Sequence, residues 1–86
     1  MESINRKILS QINILSRMSL ASPLEVNKTF KLDEKEFGDR LLYLKRLRYI
    51  RVEKSSYAPE KSLPNGICAV SITDDGRQFL RRLKYI

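Results

Sequence analysis

The chain contains no histidine and no tryptophan, and its 86 residues include one cysteine, three glycines and three prolines. Without histidine there is no imidazole for acid–base work and no zinc constellation, so neither a metal nor a cofactor is expected. Cys68 alone cannot close an internal disulfide, and its alternation in phase with Val70 and Ile72 marks it as a small core residue. No apolar run approaches the ~20 residues of a membrane span, so no membrane partner is expected. The opening MESINRKILS lacks the basic start, apolar stretch and cleavage site of a secretion signal, which points to the cytoplasm. No repeat and no low-complexity tract interrupts the chain, and no cluster of titratable groups suggests nucleophile, base and oxyanion support, so an enzyme is not expected.

What remains is a small basic chain. It fits one domain over residues 1–86, in which folding buries only roughly 60% of the unfolded surface. Its net charge of +7 is unevenly placed: residues 1–44 hold seven Lys/Arg against six Asp/Glu, and residues 45–86 hold ten against four. A field concentrated in the carboxyl half attracts phosphate polyanions first and acidic protein surfaces second.

Apolar spacing predicts the elements. Ser3 reads as the cap of a first helix to about Arg17, with Ile4, Ile8, Ile12, Leu15 and Met18 along one side and Leu9 and Ile14 off it. SPLE at 22–25 predicts a second helix, capped by Ser22 with Pro23 at the first helical position and Glu25 as capping-box partner, ending near Lys31. Asp33 caps a third helix with Glu36 three residues on, Leu32 and Phe37 forming the hydrophobic staple. Glu36–Arg40 and Lys35–Asp39 are spaced for ion pairs. Phe37, Leu41 and Leu44 point inward, Leu47 sits at the edge of that face, and the helix ends near Arg48. Strands follow at Ile50–Lys54 and Ile67–Thr73, joined by a loop in which Asn65-Gly66 is turn chemistry. Thr73 caps a last helix with Asp74 and Asp75 at its start and Arg81, Arg82 and Lys84 at its end.

Three helices, a strand, a long loop, a strand and a closing helix predict an α+β fold, a winged helix-turn-helix with the hairpin as its wing. FGDRLLYLKRLRYIRVE resembles the recognition helix and first wing strand of bacterial winged-helix regulators. VSITDDGRQFLRRL is similar to their second wing strand and closing helix, where an LTxxGxxFL pattern recurs. More narrowly, EKEFGDRLLYLKRLRYI with that ending resembles the small YjcQ-like family of Firmicutes and their phages. Two positions depart from the regulator pattern: Arg48 stands where glycine is usual before the strand, and Leu42 where a polar residue is common.

The resemblance implies a DNA-binding transcription regulator acting by site occupancy, with double-stranded DNA as partner. On the third helix Lys35, Asp39, Leu42 and Arg46 form the outward row, with Tyr43 beside them. Lys35, Asp39, Tyr43 and Arg46 are then nearest the bases, Arg40, Lys28 and Lys31 help with phosphates, and Lys61 extends from the wing. A long site needs a homodimer, for which Ile14, Leu80, Leu83, Tyr85 and Ile86 are candidates. The acids of the third helix and the apolar pair Leu42 and Tyr43 support a second reading, a phage-encoded module that grips a regulatory protein. Whether Lys45, Arg46, Arg48 and Arg51 share a face with Arg77, Arg81, Arg82 and Lys84 is open at the level of sequence.

Overall fold

The structure, a computed structural model, describes residues 1–55 and 62–84. Within them lie helices α1 (Ser3–Leu15), α2 (Pro23–Phe30), α3 (Glu34–Arg46) and α4 (Asp74–Arg82). Strands β1 (Ile50–Lys54) and β2 (Ile67–Ile72) stand between α3 and α4. The order is α+β, with four helices and a two-stranded antiparallel hairpin. No helix among the described residues is long and apolar enough to cross a membrane.

Three of the four helices start as their caps predict. Ser22 Oγ accepts from the Glu25 N–H, Asp33 Oδ2 from Lys35 and Glu36, and Thr73 Oγ1 from Gly76. α1 differs, because the extended residue at its start is Glu2, which puts Ser3 inside the helix, and the Glu2 side chain turns away to Arg40. α1 also ends two residues early. The Ser16 hydroxyl is drawn inward to accept the Ile72 N–H at 3.3 Å, and the chain leaves the helix there. Met18, expected on the apolar stripe, is consequently 95% exposed, whereas Leu9, expected off it, is buried where α1 meets α2, α3, α4 and β2.

The sheet has an extra rung. Ala21, in the α1–α2 connection, exchanges both backbone hydrogen bonds with Val70 at 2.8 and 2.9 Å. Between β1 and β2 the pairing runs from Ile50 opposite Ile72 to Glu53 opposite Ala69, then jumps to Lys54 opposite Ile67. Cys68 is the residue passed over. This bulge reverses the inside–outside phase of β2, so Ile67 is buried and Cys68 is half-buried rather than part of the core. At the root of the hairpin Asn65 Oδ1 accepts from the Ile67 N–H at 3.2 Å, and Gly66 adopts φ 89°, the turn chemistry expected of the pair.

The core gathers Ile8 and Ile12 of α1, Val26 of α2, Phe37, Leu41 and Leu44 of α3, the inward residues of the hairpin, and Leu80 of α4. Leu80 is fully buried and belongs to this core, not to a dimer surface: α4 packs chiefly on α1 and turns that side chain inward. Leu83 is half-buried, and Tyr85 and Ile86 lie outside the described residues.

Candidate nucleic-acid interface

α3 is the element the sequence nominates for contact, and three devices hold it in place. The first is the turn before it. Lys31 takes a left-handed conformation, φ 53°, that ends α2, and the Asn27 side chain binds the Leu32 backbone twice, donating to its carbonyl at 2.8 Å and accepting its N–H at 3.1 Å. The second is burial of Phe37, Gly38, Leu41 and Leu44. Gly38 lets the hairpin root approach, since a Cβ there would stand 2.6 Å from Asn65 Nδ2. The third lies at the far end, where Arg48 turns the chain at φ 64° and its carbonyl accepts the Thr73 hydroxyl at 2.7 Å. The left-handed turn explains why α3 stops at Arg46, short of the expected Arg48.

Held this way, α3 exposes Lys35, Asp39, Tyr43 and Arg46. Leu42, expected in that outward row, is instead half-buried and packs against the core. Lys35 and Asp39 line a cleft with Pro64 and Asn65 of the hairpin root, while Asp39 and Tyr43 border a groove with Glu2, Asn5, Glu36 and Arg40.

The acids of α3 divide by task. Asp33 is used by the cap. Glu36 binds Arg40 at 3.0 Å, as expected, instead of reaching back to complete a capping box. Asp39 makes no ion pair within 4.0 Å among the described residues, so the expected Lys35–Asp39 pair is absent. The uncompensated negative charge on the leading half of the helix is therefore Glu34 and Asp39.

Arg40 departs most from expectation. Its guanidinium donates to Glu36 at 3.0 Å, to Glu2 at 3.2 Å and to Asn5 Oδ1 at 2.9 Å, tying the start of α1 to α3. The Glu36 hydrogen bond raises its pKa, against the desolvation at the site. With Nε and Nη1 engaged in these bonds and its side chain 21% exposed, Arg40 clamps the start of α1 to α3.

Lys28 is exposed but pairs with Glu25 at 3.0 Å, an exposed contact that a phosphate can displace. Lys31 is exposed beside the turn, and Lys61 lies outside the described residues. Between the two basic groups, the Arg48 carbonyl accepts the Thr73 hydroxyl at the start of α4, and Tyr49 stacks on Phe79 further along that helix with centroids 4.7 Å apart. Arg77 nearby pairs with Asp74 at 3.0 Å. Arg81, Arg82 and Lys84 sit at the opposite end of α4, about 13 Å along its axis.

Asn27, Asn5 and the Gly38–Asn65 approach were not singled out by sequence. Asn27 carried a usable signal, because asparagine inside a helix and close to its end tends to bond the backbone beyond it. Compared with protein-family models, with curated proteins and with solved structures, the chain matches none of them.

Proposed function

We propose that this chain is a winged helix-turn-helix protein that binds double-stranded DNA through α3, a transcription regulator of a bacterium or its phage acting by occupancy and not by catalysis. In this reading α2 and α3 are the turn motif and the β1–β2 hairpin is the wing. The observation that carries it is the outer face of α3: Lys35, Tyr43 and Arg46 are exposed on a helix pinned at both ends and Glu36 is bound by Arg40, while Glu34 and Asp39 are the acids that oppose a backbone there. Lys35 and Arg46 suit guanine edges or phosphates, and Asp39 suits a cytosine amino group. Lys31 and Lys28 add phosphate contacts from α2.

The test is fluorescence anisotropy of a labelled random-sequence duplex at about 50 and 200 mM salt, a range over which phosphate contacts lose affinity steeply. Binding that weakens sharply with salt supports the reading, and absence of binding at low salt overturns it. A second reading, a module that binds a regulatory protein, is favoured by Tyr43 and Leu47, 39% and 38% exposed at the end of α3 near the unpaired Asp39. Asp39→Asn separates the two: nonspecific duplex binding rises or holds if the carboxylate only repels DNA, and loss of a protein partner with duplex binding absent supports the second.

A further inference from the structure

β1 is the outer strand of the hairpin, and the rung to Ala21 fixes which of its backbone groups face outward. Val70 uses both its N–H and its C=O on Ala21, on the side of β2 away from β1. Its partner across the hairpin is Val52. Residues opposite each other in an antiparallel pair turn these groups either both toward or both away from one another, so Val52 points its N–H and C=O away from β2. Among the described residues nothing bonds them, and the edge of β1 is open at that point.

An open edge accepts a further strand, and the side chains beside Val52 select which one. Arg51 and Glu53 are exposed, stand opposite the neutral Ser71 and Ala69, and make no ion pair within 4.0 Å among the described residues. When a second β1 lies antiparallel with Val52 opposite Val52, Arg51 of each strand stands opposite Glu53 of the other. These are the non-hydrogen-bonded positions, where opposed Cα atoms are about 4.5 Å apart and side chains lie closest. An axis moved to either neighbour sets Arg51 against Arg51 or Glu53 against Glu53, so one register alone pairs unlike charges. A twofold axis through Val52 requires of the partner the same outward phase and the reversed order of charges, and a second copy meets both by symmetry. We infer that β1 pairs with β1 of a second copy about that axis, in an isologous dimer with a continuous four-stranded sheet. The contact is short. Ile50 is 2% exposed, which closes that end of the edge and confines the ladder chiefly to residues 51–53. Two chains of +7 also repel, so the dimer is weak and concentration-dependent. The inference does not depend on DNA binding.

The experiment is sedimentation equilibrium of the whole chain, without nucleic acid, from micromolar to near-millimolar concentration at physiological salt. The samples are the native protein, Arg51→Glu, Glu53→Arg, an equimolar mixture of these two variants, and the double exchange Arg51→Glu with Glu53→Arg. The native protein is expected to pass from monomer to dimer as concentration rises. Each single reversal sets like charges opposite one another on both sides of the axis, and is expected to weaken association by roughly tenfold or more. The mixture is expected to restore it, because a strand with two acids then meets a strand with two arginines. The double exchange restores it within one chain. Melting curves are expected to stay unchanged, since neither residue faces a charge inside its own chain. Should one single reversal disturb folding, the other and the double exchange carry the same test. A native monomer at every concentration, an assembly larger than a dimer, single reversals that leave the dimer intact, or a mixture no more associated than its components would overturn the inference.

Discussion

Asn27 and Leu32 are joined by two hydrogen bonds across the α2–α3 turn, one in each direction between a side-chain amide and a backbone amide. The 8% exposure of Asn27 means water does not readily replace either bond. Asn27→Ala is therefore expected to destabilise the fold by about 2–3 kcal/mol, the cost of two lost bonds and two poorly solvated backbone groups. Circular dichroism should record a melting temperature lower by about 10–20 °C for a chain of this size.

Gly76 gives an expectation opposite in sign to helix propensity. Alanine in place of glycine ordinarily stabilises a helix interior by about 1 kcal/mol. At position 76 the new Cβ collides with the Tyr49 carbonyl oxygen, a backbone atom held by the Thr73 N–H. Gly76→Ala is expected to cost about 1–3 kcal/mol, read by urea denaturation. Gly38→Ala meets the Asn65 side chain, which can move aside only by giving up the bond from the Ile67 N–H to its Oδ1, and is expected to cost about 1 kcal/mol.

Arg48 holds φ 64°, where a non-glycine residue is strained by roughly 1–2 kcal/mol. Arg48→Gly is expected to raise stability by about 1 kcal/mol, less any cost from a looser unfolded chain. If α3 binds DNA, the same change removes a cation from the end of that helix and lowers duplex affinity. Stability and affinity, measured on one preparation, are then expected to move in opposite directions.

Arg46 and Arg40 separate binding from architecture. If α3 binds DNA, Arg46→Ala is expected to leave melting nearly unchanged and to reduce the slope of log affinity against log salt by about one. Arg40→Ala is expected to leave that slope intact and to lower stability by about 1 kcal/mol, a modest figure because Glu2 and Glu36 are half or more exposed. A salt slope that falls with Arg40→Ala would reassign Arg40 to the phosphates.

The elements themselves were legible because their signals are local. Ser22-Pro23, Asp33 and Thr73 cap helices with side chains two or three residues from the N–H groups they accept, and Asn65-Gly66 makes its turn alone. The Arg48 position, unusual for lacking glycine, is left-handed as its place before the strand suggests. What sequence did not reveal depends on partners distant along the chain. Beyond its expected pair with Glu36, the clamp at Arg40 was not legible because Glu2 and Asn5, which also accept from it, lie 38 and 35 residues away. Leu80 fell on an apolar stripe that fits a core or a dimer equally well, and only the docking of α4 on α1 decides between them. Cys68 was misassigned because strict alternation presumes an unbroken ladder, and one bulged residue reverses it.

The hydrogen bond from Ile72 to Ser16 spans 56 residues, and the Ala21–Val70 rung closes a loop nearly as long. The first ties the end of α1 and the second the connection after it to the last strand, so a chain emerging from a ribosome carries α1 with only α2 and α3 to pack against until β2 and α4 have been made. Local helix formation is fast, but closing such loops requires the entropy of the intervening chain to be given up at once. Folding is therefore expected to be limited by the meeting of the two ends and to proceed in a single step, with no stable half. A nascent chain stalled before Val70 would be the species most exposed to aggregation and proteolysis.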